Sequence, residues 1–172
     1  MSPSPPPRNR RAETAKSPKT PKLPKLSKLV VEVDTREKRP IRFPATFKWW
    51  PPSTTARIPK GKPSLIKVET VQKRLDAGDY RLAAFPDACV VERKGSVREL
   101  ANNLLTVRGR RRQYAAFERL QKAARHPILL VETTPALMLA ASPAKVGYMP
   151  ERVLQALAEA ATTFGLLLVF AP

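Results

Sequence analysis

Residues 90–96 read VVERKGS. Val90 and Val91 suit the inside of a sheet, yet Glu92, Arg93 and Lys94 follow as three consecutive charges on what should be the same strand. Side chains alternate across a strand, so Glu92 and Lys94 project from one face and Arg93 from the other. The strand, 88–94, stops at Gly95. Ser96, with Glu99 three residues later, has the capping-box pattern of a helix start, which predicts a helix over 96–105. The chain passes from a strand into a helix with its charges at the junction.

Upstream, GDYRL (78–82) and FPD (85–87) allow a hairpin that leads into 88–94, with Gly78 suited to a positive φ. KLVVEVDTRE (28–37) reads as a first strand ending near Asp34. Residues 38–63 read as a Pro-rich irregular loop, and 64–75 as a partly alternating second strand. Downstream, RGRRRQYAAFERLQKAAR (108–125) reads as a basic helix and PILLVE (127–132) as a buried strand. Residues 150–164 form a helix beginning with Pro150, and 165–171 a final strand. Strands clustered first, then alternating with helices, predict an α/β domain with a mixed central β-sheet flanked by α-helices.

The 172 residues carry 32 Lys+Arg against 14 Asp+Glu, a formal net charge of +18. Such a surplus favours a polyanionic partner, because each Lys or Arg placed on a phosphate releases a condensed counterion. Nucleic acid comes first. An anionic membrane surface comes second and would need an amphipathic basic helix or a lipid anchor. No apolar run is long enough to span a bilayer, and the first residues lack the apolar core of a secretory signal. Cys89 and His126 are the only cysteine and histidine, which excludes an internal disulfide and a Cys/His zinc site. Residues 1–28, with seven prolines and eight basic residues against Glu13 alone, read as a disordered basic tail. Lysines at every third position from Lys16 to Lys28 would form one ridge in a polyproline II conformation, either a soluble linker or an arm on a nucleic-acid backbone.

The hairpin can bring Asp79 beside Glu92. Two carboxylates facing one point repel unless a cation lies between them, and Mg²⁺ takes oxygen ligands while keeping several waters. Asp34, ending the first strand, could join them, with Glu37 nearby. Lys94, on the face of Glu92, could hold an attacking water and stabilise charge developing on a phosphate. The bland alternative is a solvated strand end.

VDTRE (33–37), GDY (78–80) and VERK (91–94) occur in that order, followed by a helix and RGRRRQYAAFERL (108–120). This pattern resembles the nuclease domain of the XPF family of structure-specific endonucleases, in the PD-(D/E)XK superfamily. The resemblance covers 29–172 and implies a restriction-endonuclease-like fold and a metal-dependent DNA endonuclease. Carried over by position, it implies Asp79 and Glu92 as metal ligands, with Asp34 as an accessory acid at the metal and Glu37 as a less certain one. Lys94 and Arg93 would be catalytic. Arg36 and the helix start, Arg108, Arg110, Arg111 and Arg112, would contact nucleic acid. The cofactor would be Mg²⁺, with Mn²⁺ as a substitute. The partner would be DNA, with a homodimer or a second subunit as in the family. The setting would be intracellular, near the nucleoid in a prokaryotic or viral context and nuclear in a eukaryotic one, in repair, recombination or viral DNA processing.

Two departures stand out. The family's last acid lies four residues after its lysine, where this chain has Arg98 followed by Glu99. Only two residues follow Phe170, so the helix-hairpin-helix domains of many members are not expected here, and preference for branched DNA does not carry over. The competing readings are a non-catalytic nucleic-acid-binding module on the same fold and a basic coat protein. Trp49 and Trp50 read as a lid over the sheet or a stacking platform for bases. His126 and Cys89 read as structural.

Overall fold

The computed structural model describes residues 27–50 and 62–171. Nearly all of the basic tail, Pro51 and Pro52 beside the tryptophan pair, and Pro172 lie outside the described residues. The elements in chain order are β1 (Lys28–Asp34), β2 (Thr46–Trp49), β3 (Ser64–Lys73), β4 (Tyr80–Leu82), β5 (Cys89–Lys94), α1 (Val97–Leu105), α2 (Val107–Ala123), β6 (His126–Val131), α3 (Pro135–Leu139), α4 (Pro143–Val146), α5 (Pro150–Phe164) and β7 (Leu167–Phe170).

The strands form one seven-stranded sheet in the order β2-β3-β1-β4-β5-β6-β7. β1 runs parallel to β3, β5 to β6 and β6 to β7, while β2 is antiparallel to β3 and β4 to both β1 and β5. This is the mixed sheet expected from the sequence. The stretch 38–63, expected to be irregular, contains β2, a four-residue strand held against β3. It was illegible because Pro44 and Pro51 bracket a run too short to show alternation.

Register decides what each face carries. Val90 of β5 and Leu129 and Val131 of β6 point into the helical layer, where they join Leu100, Leu104, Phe117, Leu120, Val153 and Leu157 in the main core. On the opposite face, Val31, Val33 and Tyr80 form a smaller cluster covered by Ile41 and Phe43 of the loop after β1. Helices therefore pack on one face, over its β5–β6 half.

Thr106 joins α1 to α2 and caps both. Its hydroxyl donates to Asn102 O (2.6 Å) and accepts the Gly109 N–H (3.0 Å). A Cβ at Gly109 would lie 1.9 Å from Asn102 O, so the close turn requires glycine there. The turn aims the first residues of α2 back toward the end of β5.

Candidate active site

Gly78, at φ 68°, turns the chain into β4. A Cβ on it would lie 2.5 Å from Val90 Cγ1 and 2.8 Å from Val91 O, so both backbone angle and space require glycine. The turn wedges Asp79 between strands: its N–H donates to Val91 O (2.7 Å), and its carbonyl accepts the Asp34 N–H (2.8 Å). The Asp79 carboxylate accepts the Arg93 N–H at 2.7 Å. Burial, and then the charge of Glu92, push its carboxyl up to about 6.

Lys94 is buried and donates to Glu92 Oε1 at 2.8 Å. Glu99 Oε1 stands 3.5 Å from the same ammonium. Burial pulls the Lys94 pKa down, but the charge and hydrogen bond of Glu92, with Glu99 and Asp79 behind them, outweigh it and hold the group above its ordinary value. Lys94 is therefore a fixed positive charge at neutral pH. Gln113 of α2 donates to the same Glu92 oxygen at 3.3 Å.

These groups line a cleft of about 370 Å³ between the sheet and α2, rimmed by Arg36, Arg112 and Arg119. Arg36 is held from behind. Its backbone N–H and Nε donate to Asp34 Oδ1 (2.7 and 2.9 Å), and Nη2 donates to Asp34 Oδ2 (2.6 Å) and Leu75 O (2.7 Å). Arg112 donates to Asn103 Oδ1 at 3.2 Å.

The structure thus gathers Asp79, Glu92, Lys94, Arg36 and Arg112 at one cleft and leaves other expected residues outside it. Asp34, expected at the metal, is buried with its carboxylate taken by Arg36 and by the Leu75 N–H (3.2 Å). The Arg36 hydrogen bond is the main reason its pKa is lowered. Asp34 organises the rim rather than donating to the cleft. Arg93, expected among the catalytic groups, leaves from the other face. It grips Glu132 with Nε and Nη2 (2.8 and 2.5 Å) and donates to Arg39 O (2.9 Å). Glu37 stands 3.5 Å from the Arg93 guanidinium, on that same side. Arg110 caps the end of α1 through Leu104 O (2.8 Å), while Arg108 and Arg111, on either side of it in the sequence, are exposed at the start of α2.

Glu99 and Arg98 are now distinguished. Arg98 turns away and donates to Lys145 O. Glu99 accepts the Gly95 N–H (3.0 Å), and its own N–H is capped by Ser96 Oγ (3.2 Å), which aims its carboxylate at Lys94. Sequence reasoning missed Gln113, Arg119 and Glu132. The four- and seven-residue spacings of Ala116 and Arg119 from Arg112, on one side of a helix, were the signal available for Arg119. Glu132 lies beyond a parallel crossover and left none.

Among the described residues no three His, Cys, Asp or Glu side chains converge on one point. The wall of this open, polar cleft carries the carboxylates of Asp76, Asp79, Glu92 and Glu99 and no imidazole or thiolate, a donor set that fits a hard divalent cation keeping much of its water, such as Mg²⁺ or Mn²⁺. Among the described residues no helix is long and apolar enough to cross a membrane.

Comparison with known proteins gives the same frame. Solved structures that share the fold include XPF from Aeropyrum pernix (20% identity, TM-score 0.51, covering 83% of this chain and 53% of that one), and XPF from Aeropyrum pernix in complex with DNA (22% identity, TM-score 0.51, covering 83% and 56%). The chain thus spans about half the length of the structures it matches. No curated protein sequence matches it. The ERCC4 domain matches residues 33–172, which takes in the end of β1, the Gly78 turn, the Glu-Arg-Lys strand and α2. The chain belongs to the ERCC4 domain family.

Proposed function

We propose that the chain is a Mg²⁺-dependent DNA endonuclease that hydrolyses backbone phosphodiesters at the cleft between β5 and α2. The observation that carries this reading is the grouping of Asp79, Glu92 and a charged, buried Lys94 in one cleft under an arginine rim. Family membership and the fold shared with XPF support it.

In this reading Asp79 and Glu92 hold the metal, with Mn²⁺ as a substitute. When bound, the metal supplies Lewis acidity toward the phosphate and lowers the pKa of water. Lys94, fixed by Glu92 and Glu99, places its ammonium where negative charge grows as water adds to phosphorus. Its position is set before substrate arrives, so no reorganisation is needed at the moment of reaction. Gln113 fixes Glu92 against α2. Arg36, preorganised by Asp34, and Arg112 hold the phosphates on either side without reading bases. Arg93 contributes through its backbone N–H to Asp79 and through the clamp on Glu132.

The test is cleavage of labelled linear, single-stranded and branched DNA with Mg²⁺ or chelator, by wild type and Glu92→Gln. Cutting that needs both the metal and Glu92 is the expected result. DNA binding with no cutting in either Mg²⁺ or Mn²⁺ would overturn it in favour of a binding module on a nuclease fold.

A further inference from the structure

The sheet face that carries Glu92 does not end at the cleft. Strand partners directly opposite each other share a face. From Arg81, paired with Val90, that face continues across Glu32, Val30 and Lys28 of β1 to Val71, Glu69 and Lys67 of β3, and on to Thr46 and Lys48 of β2. Among the described residues, helices cover it over β5 and β6, and over β1, β3 and β2 none does; there Leu65 is 64% and Val71 48% exposed.

Its charges follow a repeated arrangement. Glu32 bridges Lys73 (2.6 Å) and Arg81 (2.5 Å), and Glu69 bridges Lys28 (2.6 Å) and Lys67 (3.0 Å). Each carboxylate thus fixes two cations and leaves one positive charge over. Lys48 stands exposed on the same side with Lys67 and Leu65. From Lys67 to Lys73 is six residues, roughly 20 Å of strand, the length of about six base steps of a duplex.

We propose that this helix-free half-sheet is the floor of the DNA site and seats duplex backbone beside the scissile phosphate, with α2 as the wall. The inference rests on the nuclease reading for its choice of DNA. Charge complementarity and continuity with the catalytic cleft favour it. One feature favours duplex over single strands: Phe47 and Trp49 of β2 fall by register on the opposite face, and Trp50, exposed just beyond the strand, is a single ring at the sheet edge, whereas single-strand binding stacks successive bases on a run of rings.

The experiment is fluorescence anisotropy of labelled duplex and of single-stranded DNA of equal length, in chelator, across a salt series. It compares the Glu92→Gln protein with the same protein carrying Lys48→Gln, Lys67→Gln and Lys73→Gln. Each floor carboxylate keeps one cation, Lys28 or Arg81, so no buried charge is left alone, and equal melting temperatures check the fold. The triple lysine-to-arginine variant keeps the charges. Weaker duplex binding with glutamine, a log–log salt slope smaller by roughly two to three at about 0.9 per phosphate contact, and retention with arginine are the expected results. Unchanged binding and slope would overturn the floor while leaving the nuclease reading intact, and would turn the surface over to an acidic protein partner. No DNA binding by either protein would sink both. Floor-dependent binding by a protein whose wild type never cuts would sink only the nuclease reading.

Discussion

The Asp79 carboxylate accepts the backbone N–H of Arg93 at 2.7 Å, so one residue fixes an acid of the cleft with its main chain while its side chain works on the other side of the sheet. Alternation along β5 divides the labour. Val90, Glu92 and Lys94 face the helices and the cleft, whereas Val91 and Arg93 face the loop after β1.

Asp79 stands ionised at neutral pH against its surroundings. Its folded pKa, about 6, lies above the ordinary 3.8. The cost to folding is absent where both states are protonated, grows as pH rises from 3.8 to about 6, and is full above that. Two units correspond to about 3 kcal/mol, and water in the open cleft reduces this to about 1–2 kcal/mol. Asp79→Asn keeps an acceptor for Arg93, so in chelator it should melt a few degrees higher than wild type at pH 8, with the gain shrinking toward pH 4. The same variant should lose cleavage and the thermal shift on adding Mg²⁺.

Lys94 and Glu99 should be kinetically linked. Lys94→Met removes the fixed ammonium and should lower kcat by roughly 10²–10³. Glu99→Gln keeps the acceptor for Gly95 but removes a charge aimed at Lys94. About 1.4 kcal/mol of lost positioning would give a tenfold slower kcat, while Arg98→Gln, on a side chain turned away, should leave kcat unchanged. Single-turnover cleavage under saturating protein separates the three.

The Arg93–Glu132 pair should behave as a clamp. Arg93→Ala should cost about 1–3 kcal/mol in urea unfolding, Glu132→Ala should reproduce most of that loss, and a double-mutant cycle should show coupling between them. Arg93→Lys should not restore it, because an ammonium cannot make the two-pronged contact. A loss of cleavage by Arg93→Ala with unchanged stability, not shared by Glu132→Ala, would assign the guanidinium to substrate instead.

Gly78→Ala combines a left-handed backbone angle with a Cβ 2.5 Å from Val90. A loss of about 1–3 kcal/mol or more is expected, along with reduced Mg²⁺ binding, since Asp79 is the next residue. Calorimetric titration of the metal reads the second effect independently of turnover.

What the sequence made legible was local. The hairpin through Gly78, the Ser96 cap and the opposite faces of Glu92 and Arg93 each depend on residues a few positions apart. Alternation told which side Arg93 leaves from, but not that Glu132 waits there, because that meeting depends on the parallel register of β5 on β6. Asp34 was expected at the metal, yet Arg36, two residues on, and the Leu75 N–H take up its carboxylate; the first contact is local, but the second depends on the pairing of β1 with β3. The helices α3 and α4, of five and four residues, are too short for a 3.6-residue period to register.

Apart from Arg36, the lining of the cleft comes from one stretch of chain, Asp76 to Arg119. A hairpin and two capped helices close through neighbours and form quickly. The parallel pairing of β1 with β3 joins Lys28 to Lys67 across a long connection and is slower for its loop-closure entropy. In the order of assembly the cutting groups come together first. β1 then docks late through its pairing with β3, bringing Arg36 and the open face beside it, so the rim closes over cutting groups already in place.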